Sequence, residues 1–197
     1  MNTRKDWIQT YTGKKFFPLA PKAEDLNIRD QARALSMFCR YCGHVSKFYS
    51  VAEHSVRVSR ELELRGAPLW IQQQGLVHDN TEAYLGDVTR PLKHQPAMKM
   101  YRKAEERLQR MIFAWLGLPV DESKAVKLID TEILGTEVAV LKQPVHPEWK
   151  LTTSTGGLAE PWKHVRPDDI GWMPWVAELQ YKKRFFELFG QEAQRYL

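Results

Sequence analysis

Residues 75–87 read GLVHDNTEAYLGD and place one histidine and three carboxylates within about three helical turns. Adjacent helical residues point about 100° apart, so His78 and Asp79 can share a target only if a small object lies at the ends of both side chains. A metal ion is such a target. Glu82 follows within one turn on the same face, and Gly86 is a typical position for the helix to end. The stretch therefore indicates a metal site on a helix.

Two other parts of the chain supply further ligands for such an ion. Upstream, Ser50 and Glu53 form a capping-box pattern that begins a helix and fixes His54 early in it. Downstream, Asp130 lies inside an apolar helical stripe, where an unpaired carboxylate would be costly to bury. Together with the His-Asp pair, these residues give two nitrogen and two oxygen ligands. That set suits Mn, Co, Zn or Fe and, less well, Mg.

The order of these ligands resembles that of the HD-domain metal-dependent phosphohydrolases. A lone His-Asp dipeptide is a weak signal, whereas four ligands in this order are specific. Glu82 and Asp87, in register with the His-Asp pair, look like the subgroup of 5′-deoxynucleotidases and small deoxynucleoside triphosphate hydrolases, many of them carried by phages and prophages. The resemblance covers residues 28–36, 40–44, 48–55 and 78–93 and fades after residue 137. It implies an all-α HD-domain helical bundle with one divalent ion held by His54, His78, Asp79 and Asp130.

The resemblance also implies which residues contact the substrate. Arg40 matches an arginine that contacts the phosphate or base, and a guanidinium fork suits phosphate oxygens. Asp87 matches an aspartate that contacts the sugar and would favour a free 3′-hydroxyl. Tyr41 either stacks on a base or packs into the core, and Lys93 either reaches a phosphate or is a solvated loop charge.

The catalytic candidate is Glu82, as general acid toward the leaving oxygen or as general base toward water. Many members of the resembled group have a small apolar residue where Asn80 stands. Asn80 therefore either hydrogen-bonds a ligand carboxylate or lies at the solvent, and we expect the latter. His44 is either close to the site or an ordinary hydrogen-bonded histidine, and we treat His146 and His164 as non-ligands.

The composition predicts a single domain over residues 1–197, because 43% hydrophobic and 27% charged residues provide one core. The net charge of +5 suits an anionic ligand but is spread along the chain. This spread of charge argues against a nucleic-acid partner, and the resemblance implies a small-molecule nucleotide as substrate. The sequence has no apolar run of membrane-spanning length and no secretory leader, so we expect no membrane contact and a cytoplasmic location, the host cytoplasm if the protein is phage-encoded.

Cys39 and Cys42 have the C-x-x-C spacing of zinc and redox sites. A structural zinc site needs two further ligands, and only His44 is near in sequence. We therefore expect free, reduced thiols.

Apolar periodicity predicts helices over residues 25–38, 50–65, 68–86, 97–116, 121–141 and 173–189. Apolar residues of these helices are expected to face inward, including Trp70, Met100, Trp175 and Leu179. Residues 1–24 are predicted to form an irregular, aromatic N-terminal arm, and residues 88–94 a loop over the site because Pro91 disfavours helical geometry at the preceding residue. Residues 143–171 are predicted to form a long loop, a lid or a contact to a neighbouring subunit.

Two hydrolytic activities are compatible with these residues. A 5′-deoxynucleotidase releases one phosphate from a deoxynucleoside monophosphate, whereas a triphosphohydrolase releases the whole triphosphate, with dATP as one candidate substrate. The short spacing from Asp79 to Asp130 and the cations after Pro91 make the second a contender, and activity on both is compatible with one site. The alternative is a degenerate HD fold that binds nucleotide or nucleic acid, against which the complete ligand set argues. The resemblance further implies a homo-oligomer.

Overall fold

Helices form the body of the protein, whose computed structural model describes residues 6–142, 144–149, 151–152, 156–157 and 159–197. In chain order they are α1 (Ile28–Met37), α2 (Val51–Leu64), α3 (Leu69–Val77), α4 (Glu82–Leu85), α5 (Arg90–Lys93), α6 (Lys99–Trp115), α7 (Lys124–Leu141) and α8 (Pro174–Phe189). A small antiparallel hairpin of β1 (Ile8–Gln9) and β2 (Lys15–Phe16) precedes them. The predicted all-α class is confirmed.

Polar caps set where several helices begin. Asn27 Oδ1 accepts a first-turn backbone N–H at 2.7 Å, so α1 begins at residue 28 and not at residue 25. Ser123 Oγ accepts a first-turn N–H at 3.2 Å, so α7 begins at residue 124 and not at residue 121. Ser50 caps α2 as predicted, accepting the N–H of Glu53 at 3.1 Å. This last cap fixes His54 in the first turn of α2.

The central helix is α2, which packs against α1, α3, α7 and α8. Val56 of α2 joins the largest apolar cluster, whose fully buried members include Leu35 of α1, Leu76 of α3, Ile112 of α6 and Phe185 of α8. Each such side chain contributes about 1.5–3 kcal/mol when it is fully buried. This packing holds the ends of α2 and α3 in a fixed relation, which matters for the site because each delivers a histidine.

Four residues predicted to face inward are exposed instead. Trp70 is 40% exposed and Met100 is 74% exposed, because both lie near the beginnings of helices whose buried residues come later, from residue 74 in α3 and from residue 108 in α6. Trp175 and Leu179 are 66% and 58% exposed. They share one face of α8, whereas Tyr181 lies among the residues that face the core. Because both faces of α8 carry apolar residues, the sequence alone did not indicate which face packs on the core.

The chain around residues 78–94 differs from the prediction in two ways. The expected continuous helix over 68–86 is interrupted, since α3 ends at Val77 and residues 78–81 form a turn before α4. In that turn Glu82 N–H donates to the carbonyl of Asp79 at 3.0 Å, a three-residue spacing in place of the α-helical four. The expected loop over 88–94 contains α5, because Pro91 occupies the first turn of the helix, where a missing N–H is harmless.

The predicted N-terminal arm is more regular than expected over its described part, since the hairpin pairs Ile8 with Phe16. Phe16 is buried and stacks on Tyr84 with ring centroids 3.9 Å apart. Thr12 anchors the turn by donating its N–H and hydroxyl to the Asp30 carboxylate at 2.6 and 2.9 Å. Residues 1–5 of the arm lie outside the described residues.

The predicted loop over 143–171 contains a 3-10 turn at Pro167–Asp169. Its residues 143, 150, 153–155 and 158 lie outside the described residues, and its predicted role as a lid or subunit contact stays a prediction. Among the helices described, none combines the length and the hydrophobicity needed to cross a membrane.

Candidate metal centre

The four predicted metal ligands meet where α2, α3 and α7 approach one another. His54 Nε2 lies 3.3 Å from His78 Nε2, 3.0 Å from Asp130 Oδ1 and 3.7 Å from Asp79 Oδ2. His78 Nε2 lies 3.3 Å from Asp79 Oδ2 and 3.7 Å from Asp130 Oδ1. The two neighbours His78 and Asp79 thus reach one point from the turn that follows α3. The apolar residues around Asp130 in the sequence predicted a buried side chain, but 38% of the Asp130 side chain is exposed.

Both imidazole rings direct an Nε2 atom at this point because their Nδ1 atoms are engaged elsewhere. His54 Nδ1 lies 2.7 Å from a carboxylate oxygen of Glu137, and His78 Nδ1 lies 2.9 Å from the carbonyl oxygen of Gly75. Both partners only accept hydrogen bonds, so each Nδ1 carries a proton. In the neutral rings both Nε2 atoms therefore present lone pairs, 3.3 Å apart. Only a shared cation or an added proton makes that contact favourable.

The spacing of the ligand atoms fits a divalent transition-metal ion. Nitrogen and oxygen ligands at about 2.0–2.2 Å from an ion lie about 3.0–3.5 Å from their neighbours in tetrahedral or octahedral geometry. The distance between the two Nε2 atoms and the distances from each Nε2 to Asp79 and Asp130 run from 3.0 to 3.7 Å. Potential ligand atoms of His54, His78 and Asp79 all lie within 4.8 Å of one another, and Asp130 is not part of this group. His54, His78 and Asp79 therefore fit a single ion, and Asp130 Oδ1 lies beside that group, 3.0 Å from His54 Nε2.

The electrostatics of the cluster favour added positive charge. Burial alone disfavours an imidazolium, but Asp79 and Asp130 outweigh it and hold the pKa of His78 well above its usual value. Burial also opposes ionisation of Asp79, yet His78 and His54 lower the pKa of that carboxyl to about 2. Two carboxylates that stay ionised beside two imidazoles provide the donor set that a divalent cation needs.

Glu137 organises the surroundings of His54. It is fully buried, and its Oε1 accepts from His54 Nδ1 at 2.7 Å and from the Tyr49 hydroxyl at 2.9 Å. Its Oε2 accepts from the Tyr41 hydroxyl at 2.5 Å and from an Arg40 nitrogen at 3.5 Å. Burial alone would raise its pKa, but Arg40 and His54 outweigh burial and lower the pKa of Glu137 to about 2. A carboxylate in this position fixes the tautomer of His54 and its orientation.

In the sequence, Glu137 stands out only as the place where the resemblance fades. The available signal was its spacing, since Glu137 lies seven residues after Asp130 in α7 and therefore on the same helical face. A second acidic residue on a ligand-bearing face is a candidate partner for a metal-binding histidine.

Arg40 bridges the ligands and this supporting carboxylate. One guanidinium nitrogen lies 3.5 Å from Asp79 Oδ2 and the other 3.5 Å from Glu137 Oε2. Its Nε atom is buried and has no hydrogen-bond partner among the described residues. The backbone of the next two residues, Tyr41 and Cys42, is left-handed, with φ of 58° and 53°. Such strain costs about 1–3 kcal/mol per residue and is common at functional sites.

Glu82, the predicted catalytic residue, is buried, and its Oε2 lacks a hydrogen-bond partner within the described part of the chain. Burial and then the charges of Asp79 and Asp87 hold the pKa of Glu82 well above its usual value. Asp87 is half-buried, and burial raises its pKa as well, with Arg40 opposing the shift. Glu82 is therefore a buried carboxyl that favours its protonated form beside an ionised cluster.

A cavity of about 430 Å³ opens beside the ligands. Its lining includes His78, Asp79 and Asp130 at one end and Lys93 near polar residues of α6. Lys93 is half-buried and its ammonium lies 2.6 Å from Glu105. The catalytic candidate Glu82 and three other predicted contacts, Arg40, Tyr41 and Asp87, lie outside that lining as far as the described residues define it. The Tyr41 hydroxyl is bound to Glu137, and its ring lies edge-on to Trp149 at 6.3 Å.

The other polar residues singled out in the sequence lie away from the ligand cluster or in the core. Asn80 was expected at the solvent, and this is wrong because the side chain is completely buried. His44 is exposed, and Cys39 and Cys42 are unpaired, with Cys42 exposed. His164 Nε2 lies 3.0 Å from Glu61.

No family model matches the chain. The protein named "Uncharacterized protein YfdR" of Escherichia coli K12 is 38% identical over 131 residues, which cover 66% of this chain and 70% of YfdR. An uncharacterized protein of Rhodobacter capsulatus is 32% identical over 138 residues, covering 65% of this chain and 69% of its own. Neither name states an activity. The extent and identity of the first match show that the chain belongs to the family of YfdR.

Proposed function

We propose that the protein is a metal-dependent phosphohydrolase of the HD-domain type, acting on deoxynucleotides. The observation that carries the proposal is the pair of Nε2 atoms 3.3 Å apart, whose rings each have Nδ1 engaged by an acceptor. Two carboxylates complete the set, and neutral lone pairs held this close are relieved by a shared cation or by an added proton. A shared divalent cation is the occupant that this proposal assigns to them.

His54, His78, Asp79 and Asp130 would hold one divalent ion, with Co, Mn, Zn, Fe and Mg as the candidates. Such an ion supplies a Lewis acid that acidifies water and neutralises phosphoryl charge. The open side of the cluster faces the cavity of about 430 Å³, large enough for a nucleotide.

Glu82 supplies the proton in this proposal. Its carboxyl is buried, its Oε2 has no hydrogen-bond partner among the described residues, and burial together with Asp79 and Asp87 raises its pKa, which favours the protonated form. A protonated carboxyl next to an anionic substrate donates a hydrogen bond and then a proton to the leaving oxygen. This chemistry suits a phosphate ester, whose leaving group is a sugar alkoxide.

Positive charge for the substrate comes from two sides. Arg40 lies beside the cluster, where its guanidinium is 3.5 Å from Asp79 Oδ2. Lys93 lines the cavity, where it is paired with Glu105. Phosphoryl transfer depends mostly on positioning and charge of this kind. The same residues serve a monophosphate or a triphosphate, so the proposal includes a 5′-deoxynucleotidase and a dNTP triphosphohydrolase.

The test is product analysis by ion-exchange chromatography after the protein is incubated with dAMP and dATP separately. Co, Mn, Mg and Zn are each supplied, with EDTA as the metal-free control. Nucleoside and inorganic phosphate from dAMP support a 5′-deoxynucleotidase, and intact triphosphate from dATP supports a triphosphohydrolase. The variant Asp130→Asn is expected to be inactive, with Asp168→Asn in an exposed turn as the matched control. Nucleotide binding without metal-dependent product would contradict the proposal and favour a binding module.

A further inference from the structure

The side chain of Asn80 holds the turn that carries His78 and Asp79, through hydrogen bonds to residues of the core. Asn80 has no exposed surface, and its Nδ2 donates to Gln31 Oε1 of α1 at 2.6 Å. Its Oδ1 accepts from the Tyr181 hydroxyl of α8, also at 2.6 Å. One residue next to a predicted ligand is therefore held by two helices that contribute none of the four ligands.

The contacts continue without a gap through the core. Gln31 Nε2 donates to the Tyr84 hydroxyl at 3.3 Å, which extends the chain of hydrogen bonds to α4. These partners fix the orientation of both amides, because Asn80 and Gln31 each use a nitrogen on one side and an oxygen on the other. Buried polar chains that are satisfied in this way specify one arrangement of the groups they join. We call the set Tyr181, Asn80, Gln31 and Tyr84 the buried amide chain.

The turn needs such an anchor because regular helical bonding is interrupted there. The N–H of Asn80 bonds the carbonyl of Val77 at 3.2 Å, and that of Glu82 bonds Asp79 at 3.0 Å, so the backbone follows a three-residue pattern. His78 and Asp79 lie between these bonds. Their side chains must reach one point with a tolerance of a few tenths of an ångström to bind an ion.

We propose that Asn80, held by Gln31 and Tyr181, is a positioning residue that fixes His78 and Asp79 in their metal-binding geometry. The inference rests on the proposed function for its use, and it concerns the affinity for the ion, not the chemistry. None of the four residues of the buried amide chain lines the cavity, so a change at Asn80, Gln31 or Tyr181 acts on the site through the packing that holds the turn. Supporting residues of this kind typically change metal affinity by about 10–100-fold.

The experiment measures Co²⁺ binding to EDTA-stripped protein by titration, together with the visible absorption spectrum of the bound ion. The variants are Tyr181→Phe, which removes only a hydroxyl, and Gln31→Met, which replaces the amide with an apolar group of similar length. Each is expected to weaken Co²⁺ binding by about 10–100-fold and to alter the spectrum. Asn80→Ala is also expected to weaken Co²⁺ binding and to alter the spectrum. The double variant Asn80→Ala/Tyr181→Phe should bind Co²⁺ no more weakly than Asn80→Ala, because Tyr181 acts through Asn80.

The matched control is Tyr196→Phe, whose ring packs against Phe185 of the same helix as Tyr181. It is expected to keep the affinity and the spectrum of the wild type. Thermal unfolding in EDTA checks that each variant is folded at the temperature of the titration. Wild-type affinity and spectrum in folded Tyr181→Phe and Gln31→Met would overturn the inference. Wild-type protein that binds Co²⁺ but releases no phosphate would instead count against the proposed function alone.

Discussion

Replacing Glu137 by glutamine tests how the site is held together, because the change keeps the shape and removes the charge. The carboxylate now accepts from His54 and Tyr49 at one oxygen and from Tyr41 and Arg40 at the other. An amide accepts on one side only, so two donors then face an NH₂ group. Hydrogen bonds to a charged group are worth about 1.5–3 kcal/mol, and we expect a loss of that size in the free energy of unfolding of Glu137→Gln.

The pH dependence of stability gives a second, independent value for the contribution of Glu137 to the free energy of unfolding. Despite burial, Arg40 and His54 lower the pKa of Glu137 from 4.5 to about 2 in the folded protein. A shift of that size corresponds to about 3 kcal/mol of stability. Because the folded pKa lies below the unfolded one, the unfolded state binds more protons as the pH falls. The contribution of Glu137 is therefore fully present above pH about 5 and is lost as the pH falls toward 2.

The assay is urea unfolding of wild type and Glu137→Gln, followed by circular dichroism in EDTA at pH 7, 5, 4 and 3. We expect the wild type to be more stable by about 2–3 kcal/mol at pH 7, with the difference shrinking toward pH 3. The control is Glu132→Gln in the same helix, where a half-exposed ion pair with Arg65 is worth at most about 1 kcal/mol. A difference between wild type and Glu137→Gln that does not change with pH would refute the account of Glu137.

Further predictions concern the site. Glu82→Gln is expected to keep Co²⁺ affinity while turnover falls by about 10²–10⁴-fold, as measured by phosphate release, and a full rate would remove Glu82 from the proton-transfer role. Asp130→Ala should abolish saturable Co²⁺ binding in a titration, and binding at wild-type strength would show that three ligands suffice. Arg40→Lys keeps the charge but loses the fork, so we expect KM for dAMP to rise about tenfold in steady-state kinetics, and an unchanged KM would exclude a substrate contact. Asp87→Asn should reduce the preference for dAMP over its 2′,3′-dideoxy analogue by about tenfold in kcat/KM, and an unaltered preference would separate Asp87 from the sugar.

The features readable from sequence were those set by short-range chemistry. Ser50 predicted the beginning of α2, because a hydroxyl that accepts a first-turn N–H acts within a few residues. The candidate ligands were also chosen from sequence, since residue types and order along the helices do not depend on the details of packing, and their binding of an ion stays a prediction. The structure brings His54, His78 and Asp130 within 3.0 to 3.7 Å of one another.

What the sequence did not reveal depended on partners distant along the chain. Asn80 is polar and looked solvated, but Gln31 and Tyr181 satisfy it in the core. Glu137 acquires its role only when α2 brings His54 beside α7. The exposed face of α8, which carries Trp175, is apolar enough to be mistaken for a buried face. Which of the two apolar faces packs on the core depends on the rest of the structure. Each of these outcomes is set by tertiary packing.

The central claim is that His54, His78, Asp79 and Asp130 form one metal site, and Co²⁺ titration of EDTA-stripped protein tests it most directly. The account predicts saturable binding of one Co²⁺ per chain, with a visible ligand-field spectrum, and its loss in His78→Gln. Absence of saturable binding in the wild type, or binding and a spectrum unchanged by His78→Gln, would contradict it.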